Sequence, residues 1–281
     1  GLYPPSGVST ATSLVTNRIR GRAVALHEVG PNAAFVLAPL LASLGLQVTG
    51  WRGVVLSSAT VAFILGVLFL LFSPAGNFRG SPPHLVHIRG LLKKPLLWAV
   101  AGFLTLAACS TYGVFSIMPT YLVDEEGLSI EVVSAVVGAS RISGVIMVFM
   151  SGWLLDRLGT VRLVSTVMLV TGVLTATMGL VRGTPLLVIV FFQPVVISAF
   201  FPAAISSFAY LGPPEIRNVG VSLIVPVANL TSGGLFPSIM GVLGDVGKTG
   251  LGFSIFGLIM ICSLLLVPLL RRGVAEGEAA A

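Results

Sequence analysis

Eight stretches of this chain, at 22–45, 51–72, 96–122, 130–155, 161–182, 185–211, 218–243 and 249–270, stay apolar for the length a bilayer core demands of a helix, about 20 residues. Residues 1–16 form a ninth, shorter stretch. In lipid no water is present to bond the backbone, so each N–H and C=O must pair within its own segment or around a closed barrel. The stretches are rich in Leu, Val, Ala and Gly and lack the two-residue alternation of barrel strands, which predicts an all-α, polytopic membrane bundle. A composition of 55% hydrophobic against 9% charged residues excludes a soluble domain.

The first 72 residues recur 197 residues downstream without a gap. Pro5 pairs with Pro202, Ser9 with Ser206, Ile19-Arg20 with Ile216-Arg217, Val24 with Val221, Asn32 with Asn229, Gly53 with Gly250, Ser57 with Ser254 and Leu68 with Leu265. A constant offset across three apolar segments marks a duplicated bundle, the plan on which many secondary transporters are built. If the repeat unit is 197 residues, residues 98–197 lack an upstream counterpart, and roughly 100 residues carrying three helices are expected before Gly1.

The basic residues set the orientation. Arg18, Arg20, Arg22, Arg79, Arg89, Lys93, Lys94, Arg157, Arg162, Arg217, Arg271 and Arg272 fall on one side, while Arg52, Arg182 and Lys248 fall on the other. The positive-inside rule makes the first side cytoplasmic, the C-terminus included, and turns Asp124-Glu125-Glu126 outward. Topology accounts for the basic pI of 9.9, so no nucleic-acid partner is expected. Residues 73–95, with Pro82-Pro83, Lys93 and Lys94, read as a cytoplasmic linker. His84 and His87 have metal-like spacing but no Cys or carboxylate beside them, and Cys109 and Cys262 sit in apolar runs where a thiol behaves as a small hydrophobe. No metal or cofactor is expected.

Between the spans 130–155 and 161–182 the chain reads Gly152-Trp-Leu-Leu-Asp156-Arg157-Leu-Gly159-Thr-Val-Arg162. This resembles the cytoplasmic loop signature of the major facilitator superfamily, G-x-L-x-D-R-x-G-R-[RK], with Thr160-Val161 where the family often has further basic residues. The resemblance implies twelve helices in two halves of six, present here from the end of helix 4. Residues 1–72 would then be the remainder of the N-terminal bundle, 73–95 the linker, 96–272 the C-terminal six-helix bundle and 273–281 a cytoplasmic tail. Gly30-Pro31 is similar to the core of that family's helix-5 antiporter motif. The motif's flanking glycines are absent, with Leu26, Ala34 and Phe35 at those positions. In the implied fold Asp156 ends a helix at the cytoplasmic surface, where its carboxylate can face the positive N-terminus of the span beginning near Val219 and Gly220 and hold that side closed.

Ionisable groups inside lipid are costly, about 2.5–3.5 kcal/mol each on insertion scales, so the few present are functional candidates. Arg141 lies near mid-depth of its span. His27 and Glu28 lie in the cytoplasmic half of theirs and fall on Ile224 and Val225 in the repeat, whereas Asn32 and Asn229 match each other and read as structural. Tyr3, Tyr112 and Gln193, with Ser110 and Thr111, stand on helices that line the cavity in the resembled fold. The reading that results is an alternating-access transporter of a small solute, monomeric and resident in the cell membrane. Arg141 favours an organic anion, and Glu28 with His27 is the candidate proton carrier. A membrane-embedded enzyme is the rival reading, disfavoured by the lack of H-E-x-x-H, of paired intramembrane aspartates and of G-x-x-x-x-G-K-[ST]. A transporter-like sensor or scaffold is a third, and an uptake assay separates it from a carrier.

Overall fold

A computed structural model describes residues 20–73, 85–212 and 214–279, and these are helical apart from short turns, with no strand among them. They divide into two compact units, one within residues 6–80 and one formed by 81–281. In the first unit, α1 (Arg20–Phe72) is two helices joined at Gly50, whose φ of 68° breaks the helical run. Gly45 comes so close to Val54 that a Cβ there would lie 2.6 Å from its Cγ2, as expected when the chain doubles back through one glycine.

The second unit begins with α2 (Leu85–Leu92), then α3 (Pro95–Ala108), α4 (Val114–Thr120) and α5 (Ile130–Met178). It continues through α6 (Thr184–Ser198), α7 (Phe200–Phe208), α8 (Pro214–Leu230), α9 (Phe236–Gly244), α10 (Thr249–Cys262) and α11 (Val267–Ala279). Six helical runs among the described residues are long and apolar enough to cross a membrane. Two of the eight sequence stretches, 130–155 and 161–182, merge in α5, which is broken at Gly159 with φ 72° and ψ 163°. Only glycine takes that conformation without strain, which gives the glycine of the loop signature a local physical reason. Gly159→Ala is expected to lower stability by roughly 1–2 kcal/mol, the cost of a Cβ in the left-handed region. A melt in detergent that matched wild type would show that the turn relaxes instead.

Two short turns interrupt the helix that starts at Pro95. Cys109–Gly113 and Tyr121–Glu125 are wound as π turns on either side of α4, and Thr231–Leu235 between α8 and α9 is a third. Pro95 opens α3 at a position where the missing N–H costs nothing. Along the other flank α5 runs beside α6 and α10, while α3 packs on α8 and α11.

Three segments carry contacts that their composition did not disclose. Residues 85–92 of the expected linker are helical, and Leu91 is buried in the core of the second unit because its apolar residues recur at helical spacing. The tail expected at 273–281 continues α11 to Ala279, and its Gly273 and Val274 are buried, with Gly273 against Leu96 and Gly277 against Tyr210. The acidic run is not simply solvated. The Thr249 backbone N–H, at the start of α10, donates to Glu125 Oε1 (3.1 Å), so a carboxylate sits where the helix dipole favours it. Tyr121 Oη donates to Glu126 Oε1 (3.1 Å), and Arg182 Nε lies 3.9 Å from the same oxygen.

Candidate substrate site

The second unit contains a small cleft lined by Val114, Phe115 and Met118 of α4, Val137, Ser140 and Arg141 of α5, and Val190, Gln193 and Pro194 of α6. Arg141 follows the start of α5 by eleven residues, about 16 Å at 1.5 Å per residue, which puts it in the middle of the stretch before Gly159. Its side chain is 8% exposed. An Nη2 N–H donates to the Thr111 carbonyl at 3.0 Å, and the guanidinium carbon stands 3.9 Å from the centre of the Phe115 ring. A cation over a ring face in a desolvated setting is stabilised by about 2 kcal/mol, a sizeable part of the cost of burying the charge.

The π turn makes this possible. An α-helix spends each carbonyl on the amide four residues on, whereas a π turn shifts that register and leaves carbonyls open to outside donors. Here two neighbouring carbonyls in Cys109–Gly113 take donors from other helices, Thr111 from Arg141 and Ser110 from Gln193 (3.4 Å). Gln193 is 2% exposed, and its Nε2 also lies 2.6 Å from Ser110 Oγ and 3.4 Å from Thr175 Oγ1. The amide therefore ties α5, α6 and the π turn together. A Cβ on Gly113 would stand 3.1 Å from the Ser232 carbonyl, so the π turns of residues 109–113 and 231–235 meet directly.

Of the residues singled out from sequence, Arg141 and Gln193 share the cleft. Tyr112 lies on the adjoining turn, half-buried, with its ring 6.4 Å from that of Phe201. Tyr3 lies outside the described residues. His27, Glu28 and Asn32 lie on α1, and their side chains are outside the description. Asn229 is exposed. The loop-signature residues Gly152, Asp156, Arg157 and Arg162 are exposed as well, with the Arg157 guanidinium 4.2 Å from the Trp153 ring centre. The atoms nearest a Cβ on Gly220 belong to Leu211, Leu91 and Leu97. Phe115, Ser140 and Thr175 were not singled out from sequence. Nothing in an apolar run distinguishes a Phe beneath a cation from one that only fills space.

Six helical runs among the described residues that are long and apolar enough to cross a membrane fit the architecture of a multi-pass membrane transporter. Residues 1–193 match the model of the Major Facilitator Superfamily, and the chain belongs to that family. Its small-molecule cargo and its membrane setting follow from that membership. No curated protein matches the sequence. Among solved structures the chain is similar to the Escherichia coli fucose:proton symporter FucP, with a TM-score of 0.71 at 18% identity over 96% of this chain and 73% of that one. A bacterial homologue of the iron transporter ferroportin, in the outward-facing state, gives 0.69 at 19% identity over 94% of this chain and 66% of that one. A bacterial homologue of the human lysosomal transporter Spinster, inward-facing and unoccupied, gives 0.58 at 17% identity over 100% and 74%. At these identities the likeness concerns the fold.

Proposed function

We propose that the protein moves a small organic anion across the cell membrane by alternating access, with Arg141 as the residue that meets the anion. The observation carrying this reading is a mid-span guanidinium, walled in by the bundle and held at Phe115 and the Thr111 carbonyl. Gln193, Tyr112 and Tyr3 complete the pathway in this reading. Glu28 with His27 carries the coupled proton, as the ionisable pair in the cytoplasmic half of its span. The C-terminus is cytoplasmic and the working unit a monomer.

Counterflow of labelled carboxylates in proteoliposomes of the full-length protein tests the reading. Glu28→Gln is expected to keep exchange at equal pH while losing accumulation driven by a proton gradient. Equal loss of both, or of neither, removes Glu28 from proton coupling. In the same assay Asp156→Asn is expected to slow transport severalfold at unchanged abundance, because the signature carboxylate is assigned to closing the cytoplasmic face. Transport at the wild-type rate would return Asp156 to the role of a helix terminator.

A further inference from the structure

We propose that Tyr121 and Glu126 form a proton-operated switch where α5 stops and α10 starts, in which the charge on Glu126 decides whether the Tyr121 phenol is shared or ties wholly to α5. The switch is independent of the solute carried. One proton stands between two acceptors. Tyr121 Oη lies 3.1 Å from Glu126 Oε1 and 3.2 Å from the Met178 carbonyl. A phenol carries a single O–H, so the two bonds cannot both be made in full, and near-equal distances leave neither acceptor in sole possession. Met178 is the last residue of α5, so its carbonyl is among the four that a helix leaves without an intrahelical donor. Charged Glu126 can only accept.

Protonation removes the competition. A carboxyl that has taken a proton from water gains an O–H of its own, which can donate to the Tyr121 oxygen, and the phenol proton then goes undivided to Met178. The ring itself has no need to move and little room to do so. It is buried, packed edge-on against Phe253 of α10 with centroids 5.2 Å apart. A Cβ added at Gly250 would stand 3.3 Å from both Tyr121 Oη and Gly179 Cα, so the phenol oxygen is wedged into the close approach of α5 and α10. Arg182 is the loose partner: its Nε lies 3.9 Å from Glu126 Oε1, and its side chain is 83% exposed against 8% for that of Glu126. The charged state therefore ties the Tyr121–Glu125 turn to the turn after α5 through an ion pair at the water's edge. The neutral state gives up that pair and caps α5 instead.

Other charges gather at this end of the unit. Asp124 and Glu125 share the turn with Tyr121, Glu131 stands at the start of α5, Arg182 follows its end, and Asp245 and Lys248 precede α10. Asp124, Glu131, Asp245 and Lys248 are exposed, where water and salt screen them. Glu125 is engaged elsewhere, on the Thr249 N–H. Glu126 is the carboxylate that holds the phenol.

Infrared difference spectra of the full-length protein, taken between about pH 8 and about pH 4 so that carboxylates gain protons, read both partners. The phenol C–O stretch of Tyr121 is assigned with ring-labelled tyrosine and by its loss in Tyr121→Phe, and the protonated-carboxyl stretch of Glu126 by its loss in Glu126→Gln. In the wild type the Tyr121 band is expected to shift on acidification, in step with the appearance of the Glu126 band. Glu126→Gln should show the acid position at both pH values, since an amide N–H donates where the carboxyl O–H would. In Arg182→Gln, a change at an exposed position, the shift should begin at higher pH, because an opposite charge nearby favours the ionised carboxylate. A Tyr121 band that stays fixed in the wild type, or that moves as far in Glu126→Gln, overturns the switch. Should Glu126→Gln not fold, the wild type and Arg182→Gln decide it together, and a response that Arg182→Gln leaves at the same pH overturns it as well.

Discussion

Arg141→Gln in the full-length protein is expected to reduce transport of carboxylate solutes by a factor of roughly 30 or more. Removing one partner of a buried, hydrogen-bonded charge pair costs about 2–5 kcal/mol, which corresponds to roughly 30-fold up to several thousandfold. The loss cannot be assigned to faulty insertion, because taking a charge out of a span eases entry into lipid. Arg141→Lys keeps the charge but replaces the planar fork that fits both a carboxylate and the Phe115 face, so weaker binding with residual transport is expected. Uptake of carboxylates, neutral sugars and organic cations is the measurement. Cations carried at full rate by Arg141→Gln would make Arg141 an interhelical tie and nothing more.

The second large effect is on folding. Helices α5 and α10 meet through small residues: Gly172, Ala176 and Gly179 on one, Gly250, Ser254 and Gly257 on the other. A Cβ added at Gly257 would collide with the Ala176 amide nitrogen and stand 2.5 Å from the Gly172 carbonyl, and one at Gly179 would collide with the Gly250 carbonyl. Ser254 Oγ closes the seam with a 2.9 Å bond to the Ala176 carbonyl. Without a hydrophobic drive between helices in lipid, such close approach is a main source of association. The atoms in the way are backbone and cannot swing aside, so Gly257→Leu is expected to cost at least about 3 kcal/mol, the upper range for overpacking. Gly241→Ala, where nothing lies within 4 Å of the added carbon, should be neutral or slightly stabilising. Melting in detergent compares the two, and a Gly257→Leu protein that melts with wild type contradicts the seam.

Much of the fold could be read in advance because lipid imposes length and polarity on every span. Arg141 stood out for the same reason, as a lone charge in an apolar run. The geometry that gives it meaning could not be read, because the π turn at Cys109–Gly113 depends on donors brought by two other helices and not on local propensity. The contacts of Glu125 could not be read from the acidic run itself, since its partner Thr249 stands 124 residues away. Asp156 shows the opposite limit. Its signature is legible as a pattern of residues, and Gly159 explains the turn, but pattern alone did not say what the carboxylate touches.

The reversal at Gly50 has a counterpart. Gly247 lies 197 residues on, the same offset that relates Pro5 to Pro202, and its φ of 65° stands beside 68° at Gly50. Side-chain identities drifted widely between the copies, yet the one backbone angle that a residue with a Cβ resists is held in both. The duplication therefore preserved a joint as well as a sequence. Segments exchanged between the copies at these two glycines would meet a junction already shaped to receive them, which makes the joints natural crossover points for the remodelling of one half by the other.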